Sequence, residues 1–199
     1  MDFTFKQSVR TVAALLITAA VTQTIYTAYY VFEMTPPRQL LWGLEGLLFV
    51  LLAAFAGSAL VQAKSLTLGF SAIAFASALN VVQVGVGLTM FDPFFGAAAA
   101  NEALEAVAGS ILAFSFMVYN AAKILLGLAA IVFGMAKANA GSKALGGLTV
   151  IVGGIAMLAN SLSMALGRDF MGEIPLAGGS GVLATVLLAL CLSSAVKDD

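Results

Sequence analysis

Two side chains of opposite charge stand inside otherwise apolar stretches: Glu45 within LLWGLEGLLFVLL and Lys123 within VYNAAKILLGLAA. An ammonium group in such a setting is expensive to bury, so it should face a partner or a wet cavity. Lys123 could bind an anion or a polar headgroup, with Glu45 as its counter-charge, since an ion pair lowers the cost of burying either group. In the other arrangement Glu45 reaches the headgroups and Lys123 snorkels along its own helix. Amides and phenols supply the remaining ligand-binding candidates: Gln23, Tyr26, Asn80, Gln83, Asn120 and Asn160.

These polar residues share faces and depth. Gln23 with Tyr26 and Tyr30, Asn80 with Gln83, Asn120 with Lys123, and Asn160 with Ser163 are spaced three or seven apart, so each set lies on one helix face. At 1.5 Å per residue they fall roughly 20 to 29 Å from the basic residues Arg10, Lys64, Lys137 and Lys143 that mark one membrane surface. The expected arrangement is an outward-facing pocket lined by amides, phenols, Lys123 and Glu45, with apolar walls for a tail. The competing reading makes the same groups interhelical hydrogen bonds, each worth only about 0.6 to 2 kcal/mol.

The elements that must carry these residues are membrane helices. The chain has 199 residues, 61% of them hydrophobic and 10% charged, against roughly 25% charged in soluble domains. We therefore expect an all-α, polytopic helical bundle forming one transmembrane domain over residues 1–199. Five to seven spans fit the length, and six fit the pattern: about 11–32, 40–62, 66–90, 115–136 with a helical extension from about 98, 144–166 and 176–196. Asp92 and Pro93 are expected to end the third helix. The first segment is not read as a signal peptide, because Asp2 spoils its basic start and its apolar run is too long.

Six spans put both termini on one side. Lys6, Arg10, Lys64, Lys137, Lys143 and Lys197 fall on that face, against Arg38 and Arg168 on the other, which predicts cytoplasmic termini. The expected location is a prokaryotic inner or plasma membrane. Glu33, Asp92, Glu102, Asp169 and Glu173 would form an acidic outer rim.

Spacing also hints at an internal repeat, since Glu45 and Lys123, Phe55 and Phe133, Lys64 and Lys143, and Asn80 and Asn160 recur at nearly one interval. Ala53 with Gly57, Ala130 with Gly134, and Gly146, Gly147, Gly153 and Gly154 supply small surfaces for close helix packing in the inner half.

Several functions are excluded or disfavoured. A net charge of -1 without a basic tract argues against nucleic acid. With no histidine and one cysteine, Cys191, histidine-ligated haem, the usual zinc sites and iron-sulfur clusters lack ligands, so no cofactor or metal is expected. Cys191 reads as a small core residue. Neither a Ser-His-Asp set nor HExxH nor a phosphate-binding glycine loop is present, so no enzyme is expected. The expected function is binding or translocation of a small polar, anionic or amphipathic molecule or ion around Lys123. The alternative is a non-catalytic accessory subunit of a larger membrane complex, its polar layer meeting partner helices. The partners considered are thus the lipid bilayer, a small amphipathic or anionic ligand, a second copy, or another membrane protein.

Overall fold

In the computed structural model, residues 3–167 and 176–195 are described. They form six helices: α1 (Phe5–Val31), α2 (Arg38–Gln62), α3 (Thr67–Ala100), α4 (Glu105–Asn139), α5 (Lys143–Leu166) and α6 (Leu176–Ala195). A 3-10 turn, Glu102–Leu104, precedes α4, and there is no strand among the described residues. All six helices are long and apolar enough to cross a bilayer. The expected loop from Arg168 to Pro175, with Asp169 and Glu173, and the tail with Lys197 lie outside the described residues.

Each helix packs against the next in sequence, and α6 returns to α1 and α4. Helices α1, α2, α3, α4 and α6 therefore close a ring, with α5 seated on the α4–α6 side. Large apolar side chains point outward all round, among them Val61 (86% exposed), Phe75 (65%) and Leu158 (63%). In water such a surface would be a liability; against lipid it is the expected exterior. Six such helices suggest a multi-pass membrane protein.

The third helix does not end where the sequence indicated. It passes through Pro93 and stops only at Ala100. Proline within a helix removes one backbone hydrogen bond and crowds the preceding turn. Here Gln39 Nε2 donates to the Leu88 carbonyl at 3.4 Å, and the adjacent Asp92 is held by Arg38 Nη1 at 2.8 Å, so the weakened turn is tied to the start of α2. The break falls instead at Asn101, whose backbone is extended and whose side-chain oxygen accepts from the Ala103 amide at 3.1 Å. Glu102 and Glu105 then sit in the first turns, where the helix dipole favours negative charge. The fourth helix is accordingly one rod from Glu105 rather than an extension beginning near 98. With 34 and 35 residues, α3 and α4 each run about 50 Å. They outreach their neighbours as a helical hairpin.

Small residues set the tightest contact, between α4 and α5. A Cβ on Gly153 would lie 2.8 Å from the Gly127 carbonyl oxygen, and one on Gly134 would lie 2.9 Å from the Gly146 oxygen. Of the glycines spaced seven apart on α5, Gly146 and Gly153 face α4, while Gly147 and Gly154 have open space. The turn between these helices uses Gly141 at φ 99°, a left-handed conformation strained for residues with a side chain.

Candidate functional site

Three layers stack along the bundle. At the end holding the N-terminus lies the main apolar cluster, in which Leu16, Phe49, Leu52, Ile73, Leu126, Phe133, Leu188 and Cys191 are buried. Phe70 and Phe133 meet edge to face with ring centres 4.9 Å apart, which fills this end of the ring interior. At the other end is a smaller aromatic cluster. Trp42 and Phe91 stand 5.8 Å apart and Tyr26 lies 5.3 Å from Trp42, with Val84 beside them. Gly87 makes room for the Trp42 ring, because a Cβ there would overlap it. The Arg38 guanidinium, held by Asp92, sits 5.7 Å from the Trp42 ring and 5.8 Å from the Phe91 ring.

Between the two apolar layers lie the polar residues. Lys123, near the middle of α4, has no exposed surface. Its ammonium donates to Gln23 Oε1 on α1 at 2.6 Å and stands 5.2 Å from the Tyr119 ring, one turn earlier on its own helix. Its aliphatic stem lies over Gly181 of α6, where an added Cβ would come within 2.9 Å of Cδ. Glu45 is 5% exposed, and its Oε1 accepts from Thr22 Oγ1 at 3.1 Å. Thr22 and Gln23 are sequence neighbours, so one short stretch of α1 holds the carboxylate and the ammonium together.

The two charges act on each other electrostatically without a direct ion pair. Among the described residues the direct pair is the exposed Arg38–Asp92 contact. The expected bond between Glu45 and Lys123 is thus replaced by an indirect link through Thr22 and Gln23.

Two asparagines repeat the same local geometry. Asn80 Nδ2 donates to the Ala76 carbonyl at 2.9 Å, and Asn160 Nδ2 to the Ala156 carbonyl at 2.8 Å, each reaching back one turn. In both, Oδ1 is buried with no donor among the described residues. An unpaired buried acceptor costs free energy. Asn160 Nδ2 also donates to the Ala177 carbonyl at 3.1 Å, one turn before Gly181, so Asn160 and Lys123 approach the same stretch of α6.

Of the eight candidates, Gln23, Glu45, Asn80, Asn120, Lys123 and Asn160 are buried, while Tyr26 and Gln83 are partly exposed. Gln23, Glu45 and Lys123 come together through the bonds above, and Asn120 lies one turn from Lys123. Tyr26 belongs to the aromatic cluster, and Gln83 sits on α3 one turn beyond Asn80. The Tyr26–Trp42–Phe91 cluster packs at the end of the polar layer where α2 begins. Reading the sequence missed Thr22, Tyr119 and Trp42 as parts of the site. Tyr119 was detectable, since residues four apart on a helix face each other; Thr22 and Trp42 required the neighbouring helices.

Removal of the aromatic layer has a measurable consequence. In an Asn120→Cys background, Trp42→Ala is expected to raise the labelling rate with a water-soluble thiol reagent on the order of tenfold, by exposing the polar layer. An unchanged rate would show that Trp42 does not seal it.

No known family's sequence profile matches this chain, and neither a curated protein nor a solved structure does.

Proposed function

We propose that this protein binds a small polar, anionic or amphipathic molecule or ion in the enclosed layer around Lys123 and carries it across the bilayer. The observation behind this reading is the completely buried Lys123 ammonium, with one amide acceptor at 2.6 Å and no direct carboxylate partner among the described residues. A lysine has three donors; Gln23 takes one, which leaves capacity for a ligand. The bare oxygens of Asn80 and Asn160 would accept from a ligand's hydroxyl or amine. Residues whose role is only to join helices would be expected to satisfy one another.

Under this reading the six helices span the membrane with both termini in the cytoplasm, following the distribution of lysine and arginine. The aromatic layer then faces the exterior and the phenylalanine-rich cluster the cytoplasm. The enclosed polar layer corresponds to an occluded state, with access gained as either layer opens. No covalent chemistry is assigned to the site, and the reading needs no cofactor.

A second reading has its own observation. The α3–α4 hairpin outreaches the rest of the bundle and exposes Phe95, Leu104 and Val107 near its tip. That would suit an accessory subunit that docks a membrane partner. Thermal unfolding of the purified protein against a set of small anions and amphipathic acids separates the two. Binding predicts stabilisation by at least one of them that is lost in Lys123→Met; a subunit role predicts no stabilisation and a co-purifying partner that the variant loses.

A further inference from the structure

The charge balance of the buried layer limits what can enter it. When both are ionised, Glu45 and Lys123 carry one charge of each sign, and among the described residues no other charged group faces them from the packed helices. On α1, Thr22 and Gln23 are neutral and Tyr26 is a phenol, while Lys6 and Arg10 lie near the other end. On α2 itself, Arg38 lies at the helix start and is paired with Asp92 of α3 beyond the aromatic layer. From α4 come Tyr119 and Lys123, with Glu105 and Lys137 near the helix ends. Lys143 is at the start of α5, and the described part of α6 offers only Cys191, within the apolar cluster.

A monoanion placed against Lys123 would leave this layer with a net negative charge. An uncompensated buried charge is strongly unfavourable, and among the described residues Glu45 is the carboxylate placed to remove it. Resting on the binding site proposed above, we infer that an anion enters beside Lys123 together with a proton taken up by Glu45, so that the site co-binds one anion and one proton. The proton comes from water and forms an O–H bond on the carboxylate; the Lys123 ammonium keeps its own protons, and no other bond changes.

Thr22 is built for this exchange. Its single hydroxyl hydrogen has two acceptors within reach, Glu45 Oε1 at 3.1 Å and its own helix carbonyl at Ala19, 2.9 Å away. With Glu45 ionised, the hydroxyl donates to the carboxylate. Once Glu45 is protonated, the hydroxyl turns to the Ala19 carbonyl and its oxygen accepts the new O–H. Neither state leaves a buried donor unmatched. Back-bonding to the preceding turn is ordinary for helical threonine; what distinguishes Thr22 is that the Glu45 carboxylate lies within reach of the same hydroxyl.

The test uses full-length protein in lipid nanodiscs with chloride, acetate and lactate as probes, the last adding a hydroxyl for the asparagine oxygens. Affinities are measured between about pH 5.5 and 8.5, where all three are essentially ionised. Linkage fixes the sign: where unliganded Glu45 is ionised, Kd rises about tenfold per pH unit, and at lower pH it levels off. Glu45→Gln mimics the protonated carboxyl, so it binds the same anion without this pH dependence. In weakly buffered wild-type protein, at a pH where unliganded Glu45 is ionised, addition of the anion also takes up one proton per anion bound, a readout that needs no variant. Affinity independent of pH in the wild type, a slope retained in Glu45→Gln, or no proton uptake would overturn the coupling and leave the anion site standing. Failure of all three anions to bind at any pH would overturn the site itself, and the coupling with it.

Discussion

Gly153→Leu is expected to separate α4 from α5 and to destabilise the bundle by about 3 kcal/mol or more. Overpacking usually costs 1 to 3 kcal/mol, and this position is worse placed than most. The atom an added Cβ would meet at 2.8 Å is the Gly127 backbone oxygen, which cannot rotate away, and the Ala130 and Ile131 side chains lie just over 3 Å off. Relief requires the helices to move apart, which also disturbs the reciprocal Gly134–Gly146 contact. Gly154→Leu is the matched control, since nothing lies within 4 Å of that Cβ position. Equilibrium unfolding in mixed micelles should show a large loss for the first and little change for the second. Equal behaviour of the two would refute the assigned α4–α5 contact.

Gln23→Leu should be the most damaging single change in the polar layer, and Lys123→Met should rescue it. The leucine removes the hydrogen-bond acceptor of a fully buried ammonium. Stranding a charged donor in this way costs about 3 kcal/mol, more than a neutral hydrogen bond is worth. Replacing the lysine as well eliminates the stranded charge and keeps much of its volume, so the double variant should recover most of the loss. A double-mutant cycle measures this directly. Additive effects would mean that Gln23 and Lys123 do not interact and that the link from α1 to α4 is misassigned.

The helices were legible because nothing else competes with 61% hydrophobic residues arranged in runs of membrane length. Their number and order followed from spacing alone. The course of the chain past Met90 did not. Pro93 reads as a helix end, whereas α3 continues through it to Ala100, with Gln39 and Arg38 of α2 bonded to the turn before it at Leu88 and Asp92. Near Lys123 the limit was similar. Opposite charge pointed to Glu45 as a neighbour, but a sequence gives no rotation between helices, so the intervening Thr22 and Gln23 could not be assigned. The inward turn of an aromatic ring was equally out of reach. Trp42 reads as an interfacial anchor, whereas its ring turns inward over Gly87 and joins the aromatic cluster. Asn80 and Asn160, spaced as the suggested repeat has them, share a backward hydrogen bond and a bare oxygen.

The central claim is that a ligand occupies the layer around Lys123, and native mass spectrometry of protein extracted gently from its own membrane tests it most directly. The account predicts a small-molecule adduct on the wild-type chain that is absent from folded Lys123→Met. An adduct of equal occupancy on both proteins, or a stoichiometric protein partner with no small molecule, would contradict it.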